Sequence, residues 1–207
     1  MTTKLDLKKD LKHLYAPSAR DVSAVDVPPI AFLMVDGSGN PNTAQSYSDA
    51  VSALFSTAYT LKFMLKNRDA ALDYAVMPLE GLWWADDMDA FRQGNKDQWL
   101  WTMMIAQPEF VTPEDVQAAL VETRRKKPLP ALDLVRFEAY HEGPSVQILH
   151  LGPYADETAN IARLHGWIAD HGYTFGGKHH EIYLNDASRV VPEKLRTVVR
   201  QPYAKGG

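Results

Sequence analysis

"VQILHLG" at residues 146–152 runs into a helix-patterned stretch, and "IAFLMVDG" at residues 30–37 does the same. After the first, Asp156 to His171 carries Ile161, Leu164 and Ile168 on one helical face, with Gly172 as a stop signal. After the second, Tyr47, Val51, Leu54, Ala58, Leu61 and Leu65 recur at three- and four-residue steps between Ala44 and Lys66. Two β-patterned runs then close each copy. They are "MPLEGLWW" (77–84) and "WLWTMMIAQP" (99–108) in the first, "HHEIYLND" (179–186) and "LRTVVRQP" (195–202) in the second. Both copies end in Gln-Pro, at 107–108 and 201–202.

The repeat predicts an α+β fold, a single domain of duplicated strand–helix–strand–strand units spanning residues 28–108 and 132–202. Each antiparallel sheet has one face covered by its own helix. The other copy is the natural cover for the second face, which predicts a central cleft suited to a small ligand. A second stripe on the first helix, Phe55, Tyr59 and Phe63, predicts cover on more than one side. A polar stretch ending in Gly94-Asn95 joins the two β runs of the first copy. Between the copies, residues 112–127 read as a connector helix. Thr112 is placed to cap it, Pro113 to start it, and Glu114 and Asp115 to complement its positive end. The basic run Arg124 to Lys127 complements the other end, which explains it without nucleic acid. "LDLVRFEAYHEGPSVQILHLG" reads as two strands around a Gly143-Pro144 turn.

A net charge of −4 argues against a general affinity for DNA or anionic membranes, both of which need a basic face. The absence of cysteine excludes disulfides, thiolate catalysis and cysteine-ligated zinc. No run approaches the roughly 20 apolar residues of a membrane span. "MTTKLDLKKDLKHLY" alternates charge and leucine, unlike a signal peptide, so a cytoplasmic protein is expected.

The chemistry concentrates in His179-His180-Glu181. Strand alternation sends Ile182, Leu184 and His180 one way, expected to be toward the helix, and His179, Glu181 and Tyr183 the other, toward the cleft. An inward glutamate between an imidazole and a phenol is costly unless it serves something. Adjacent histidines lack the spacing zinc prefers, so no metal and no cofactor are expected. In the first copy Glu80, Leu82 and Trp84 share a face, as do Trp99, Trp101 and Met103. Were these faces to meet the cleft, tryptophan walls, a pliable methionine and two glutamates would suit planar or cationic aromatic ligands. Glu181 and Glu80 are then the candidate catalytic carboxylates, each expected to have its pKa raised by an apolar setting. Trp101, Met103 and His179 are candidate ligand contacts beside them. Any one tryptophan reads equally well as core, while the group together favours a pocket.

The order and spacing of "GSGNPN", "STAYTLKF", "MPLEGLWW", "MIAQPEFVT", "VRFEAYHEG", "VQILHLGPYADE", "HHEIYLND" and "PEKLRTVVRQP" resemble the GyrI-like small-molecule-binding proteins from Pro28 to Pro202. The resemblance implies the same duplicated fold. It implies that Glu181 matches the glutamate that meets lipophilic cations inside an aromatic pocket in multidrug-responsive regulators. A stand-alone subfamily similar to this chain hydrolyses DNA-alkylating cyclopropanoids with an aromatic cage, whose members here would be Tyr59, Trp84 and Tyr183. Three functions follow from the resemblance: cyclopropanoid hydrolysis, non-catalytic binding or sequestering of xenobiotics, and inhibition of a DNA enzyme such as gyrase. The implied partners are lipophilic or cationic aromatic small molecules, with no direct contact to nucleic acid.

Overall fold

The computed structural model describes residues 4–86 and 95–205, so most of the polar join ending in Gly94-Asn95 lies outside the described residues. In chain order the first elements are α1 (Leu7–Asp10), α2 (Lys12–Tyr15), β1 (Ser23–Val27), β2 (Ile30–Ser38), α3 (Gln45–Arg68) and β3 (Leu79–Trp84). They are followed by β4 (Leu100–Gln107), α4 (Pro113–Lys126), β5 (Arg136–Tyr140), β6 (Gly143–Leu151), α5 (Thr158–Asp170), β7 (Tyr173–Phe175), β8 (His179–Tyr183) and β9 (Arg196–Lys205). The order strand–helix–strand–strand recurs, as β2-α3-β3-β4 and as β6-α5-β8-β9 with β7 inserted. The ladders β1–β6, β2–β4, β2–β5, β6–β9, β7–β9 and β8–β9 are all antiparallel.

The chain forms two compact units. Residues 1–7, 30–79 and 83–140 belong to the first, and residues 8–29, 80–82 and 141–207 to the second. In the first unit β2 runs between β4 and β5, from Ala31 opposite Gln107 to Ser38 opposite Leu100, and from Ile30 opposite Tyr140 to Met34 opposite Arg136. α3 buries Leu54, Ala58, Leu61 and Leu65 of the expected stripe, with Ala50 and Ala53 beside them, while Tyr47 and Val51 are half-buried. Its second stripe is not covered: Tyr59 and Phe63 are about half exposed. α4 begins with the capping box of Thr112 and Asp115 behind Pro113. Asp115 also accepts from Arg68 of α3 at 2.5 Å, which ties the predicted connector to the first unit's own helix.

In the second unit the strands run β1-β6-β9-β8, with β7 also paired to β9. α5 packs Leu164 and Ile168 on Val146, Ile148 and Val199, and Gly172, at φ +70°, ends the helix as its sequence position suggested. The Gly143-Pro144 hairpin is not formed. Gly143, at φ +71°, instead turns the chain directly into β6. β6 pairs with β1 and β9, while β5 pairs with β2. Pro28-Pro29 plays the matching part earlier, ending β1 in the second unit before β2 opens in the first.

Candidate functional site

The register of β8 reverses the expected faces. Glu181 stands opposite Val199 and His180 opposite Arg200. Directly paired residues share a face, and Val199 is in the core beneath α5. The α5 side therefore receives His179, Glu181 and Tyr183, while His180 and Ile182 face away from it. Alternation along β8 was legible in the sequence. Which face the helix takes is set by β9 and could not be read from β8 alone.

On the α5 side, Glu181 sits at the centre of a polar cluster. Tyr183 donates its hydroxyl to Oε2 at 2.8 Å, and His179 Nε2 lies 3.3 Å from Oε1. The Tyr154 ring meets Tyr183 edge-on at 5.6 Å. Glu157, the residue before α5, is 3% exposed and acts on the Glu181 carboxyl. The Glu181 side chain keeps 16% of its surface accessible, enough to meet a ligand while mostly dry. Burial pushes its carboxyl up. The hydrogen bond and charge of His179, joined by Tyr183 and Glu157, more than offset this and hold it below the ordinary carboxylate range. That corrects the expectation of a raised value. Tyr154, by contrast, is pushed up to about 12 by burial and by the charges of Glu157, Glu181 and Asp186. Neither Tyr154 nor Glu157 stood out in the sequence. Both lie in "GPYADE", where an acid at a helix start reads as ordinary charge complementation.

The opposite face of β8 holds a closed network. His180 Nδ1 lies 2.9 Å from Glu142 and Nε2 lies 3.0 Å from Glu80, so both ring nitrogens donate and the ring is an imidazolium. Glu80 also accepts from Tyr15 of α2 at 2.8 Å. Arg200 donates to Glu142 at 2.9 Å, to Gln147 at 3.0 Å and to the Leu14 carbonyl at 2.8 Å. Two carboxylates and two cations balance, in side chains at most 3% exposed. Burial lowers the His180 pKa, but the two glutamates outweigh it and raise the group to about 9. Burial raises Glu142, and His180 with Arg200 outweigh that to bring it to about 2. Glu80, a predicted catalytic partner of Glu181, is thus held 1% exposed on the other side of β8. The structure does not bring the two carboxylates together.

The remaining candidates belong to the first unit. Trp101 and Met103 are fully buried. The Trp101 ring lies over Gly37, where an added Cβ would come within 2.1 Å of the indole, and Tyr47 meets it edge-on at 5.4 Å. These two are core rather than pocket walls. Trp83 joins Tyr47 and Trp99, at 6.1 and 5.7 Å between rings, so alternation turns Trp84 to the other face of β3. Trp84 is half-buried and Tyr59 about half exposed. An open groove of about 630 Å³ between α3 and α4 is lined by Phe63, Met64 and Val121 and by none of the predicted residues. Among the described residues no group of three or more His, Asp or Glu is placed to hold a metal ion, and no helix is long and apolar enough to cross a membrane.

A polar cluster around Glu181 thus lies on an α+β scaffold in which the strand–helix–strand–strand order recurs. The chain belongs to the GyrI-like small molecule binding domain family, whose model matches residues 20–204. Three solved structures from Listeria innocua are similar over nearly all of it. An uncharacterized conserved protein is 39% identical, with a TM-score of 0.89 over 97% of this chain and 100% of its own. A hydrolase is 37% identical, with a TM-score of 0.84 over 97% and 100%. Another hydrolase is 36% identical, with a TM-score of 0.87 over 98% and 100%. No curated protein matches the chain.

Proposed function

We propose that this protein binds lipophilic aromatic compounds, cations included, at the Glu181 cluster and hydrolyses electrophilic cyclopropanoids there, protecting the cell that makes it. The observation that carries this is the Glu181 carboxylate, kept ionised and partly accessible between the Tyr183 hydroxyl and His179. Two relatives above 35% identity being hydrolases supports turnover over mere binding. A fixed carboxylate attracts a cation, and beside the Tyr154 and Tyr183 rings it suits a flat one. For an activated cyclopropane it orients a water and takes one proton as the oxygen bonds to the ring methylene. The ring C–C bond breaks, its electron pair moves into the conjugated carbonyl, and the resulting oxyanion collects a proton, so one water is added. Ring strain, not a strong base, drives the step.

Glu181→Gln keeps the size and removes the charge. It should cut cation binding or cyclopropanoid hydrolysis at least tenfold, about 1.4 kcal/mol, with a modest fall in melting temperature, because the partners of Glu181 favour its ionised form. The assay follows product mass and tryptophan quenching over a panel of cyclopropanoid and cationic aromatic compounds. Binding without product in excess over protein makes the chain a sequestering protein. Wild-type ligand handling by Glu181→Gln overturns the site. Tyr59 and Trp84, the cage positions of the first unit, are tested separately by Tyr59→Ala and Trp84→Ala in the same assay.

A further inference from the structure

The turn that carries Tyr154 into the Glu181 cluster is held by a histidine from the strand before it. His150, Thr197 and Tyr183 stand opposite one another across β6, β9 and β8, so they share the face that also bears Glu181. Tyr154 lies only three residues beyond the end of β6, yet its ring meets Tyr183 edge-on at 5.6 Å, two strands away. At about 4.8 Å per strand spacing, the turn reaches across roughly 10 Å of sheet. Gly152, at φ +124°, starts it in a conformation that glycine alone adopts readily. His150 supplies the brace. Its ring is buried, with Nε2 3.0 Å from the Pro153 carbonyl and Nδ1 3.1 Å from Nδ2 of Asn160.

The partners fix which nitrogen carries the proton. A carbonyl only accepts, so Nε2 donates to Pro153. Asn160 gives its Oδ1 to the Arg163 guanidinium at 3.2 Å, and a guanidinium only donates. The amide therefore presents Nδ2 to His150, whose Nδ1 accepts. One line of hydrogen bonds thus runs from Arg163 and Asn160 of α5, through the ring, to the residue before Tyr154. α5 has no side-chain cap at its start, and Asn160, in its first turn, ties it to β6 instead. The Pro153 carbonyl also accepts from the Asp156 amide at 3.0 Å, so the peptide leading into Tyr154 is held from two sides. We propose that His150 is a positioning residue for ligand binding, bracing the 152–156 turn so that the 40%-exposed Tyr154 ring stands as a wall beside Glu181. A ring fixed before the ligand arrives spares the entropy of ordering it on binding.

The role in binding rests on the proposed reading of the Glu181 cluster, but the first tests need no ligand. In the wild type, imidazole nitrogen shifts should place the His150 proton on Nε2, and nuclear Overhauser effects should connect the Tyr154 and Tyr183 rings. His150→Gln can still donate to Pro153, whereas His150→Asn reaches only Asn160. The ring-to-ring effect should persist in His150→Gln and disappear in His150→Asn. A proton on Nδ1, or a ring contact that persists in a folded His150→Asn, overturns the proposal, and the wild-type tautomer alone decides should that variant not fold. The second readout is ethidium, a planar aromatic cation, followed by its own fluorescence. Tyr154→Ala and His150→Asn should each weaken its binding about fivefold, with His150→Gln within about twofold of wild type. Added to Tyr154→Ala, His150→Asn should cost nothing more, because it acts through that ring. A full further loss in the double variant makes His150 merely structural and overturns its role. If the ring contact behaves as expected but the wild type binds no ethidium, the brace stands and the functional reading falls.

Discussion

Gly37 looks in the sequence like a turn residue closing a strand, one of two glycines in "GSGN". The structure gives it another task, as the floor beneath the Trp101 ring inside β2. Only a hydrogen side chain leaves room for the indole, and the ring is fully buried, so it has nowhere to go. Gly37→Ala should therefore cost about 1–3 kcal/mol through overpacking, read as a lower urea midpoint with the denaturant slope retained. An unchanged midpoint would mean that the indole moves aside freely. The same contact explains why Trp101 and Met103 could not be separated from pocket residues in the sequence. An aromatic on a strand looks alike whether it meets a ligand or a glycine across the ladder.

Strand β8 shows the same limit for whole elements. Its existence, its helix partner and its two alternating faces were legible from "HHEIYLND", as were α3, α4 with its cap, and α5 with its terminator. What was not legible was anything decided by a distant neighbour: the side of β8 that α5 covers, the partner of β5, and the burial of Glu80 against Tyr15 and His180. These depend on registers with β9, β2 and α2. β8 thereby carries different side chains in adjacent residues, the proposed ligand carboxylate at 181 and an anchor at 180. His180→Gln should destabilise by about 3–5 kcal/mol, because Glu80 and Glu142 lose the cation between them. Thermal or denaturant unfolding at pH 6 measures this directly, and a loss below 1 kcal/mol would remove His180 as the anchor. Glu181→Gln, one residue on, should show no such loss.

For the molecule as a whole, these buried groups set the pH range of stability. His180 rises from an ordinary 6.5 to about 9 on folding, so its contribution is complete below 6.5 and disappears as pH climbs through 9. Glu142 falls from 4.5 to about 2, so its contribution is complete above 4.5 and disappears as pH drops through 2. Both are at full strength between 4.5 and 6.5, and unfolding free energy should peak there and decline on the alkaline side. His180→Gln should flatten that alkaline decline, and a wild-type profile still rising from pH 6.5 to 9 would contradict the network. Another consequence comes from β1. Ser23 and Gln147, opposite one another in the β1–β6 ladder, are 124 residues apart in the chain. A ribosome adding about 5–20 residues per second leaves β1 without its partner for on the order of ten seconds after it emerges. Throughout synthesis, then, the early strand is an open edge for any β-prone neighbour on the same polysome. The Pro28-Pro29 step that ends it is a natural gatekeeper against such pairing.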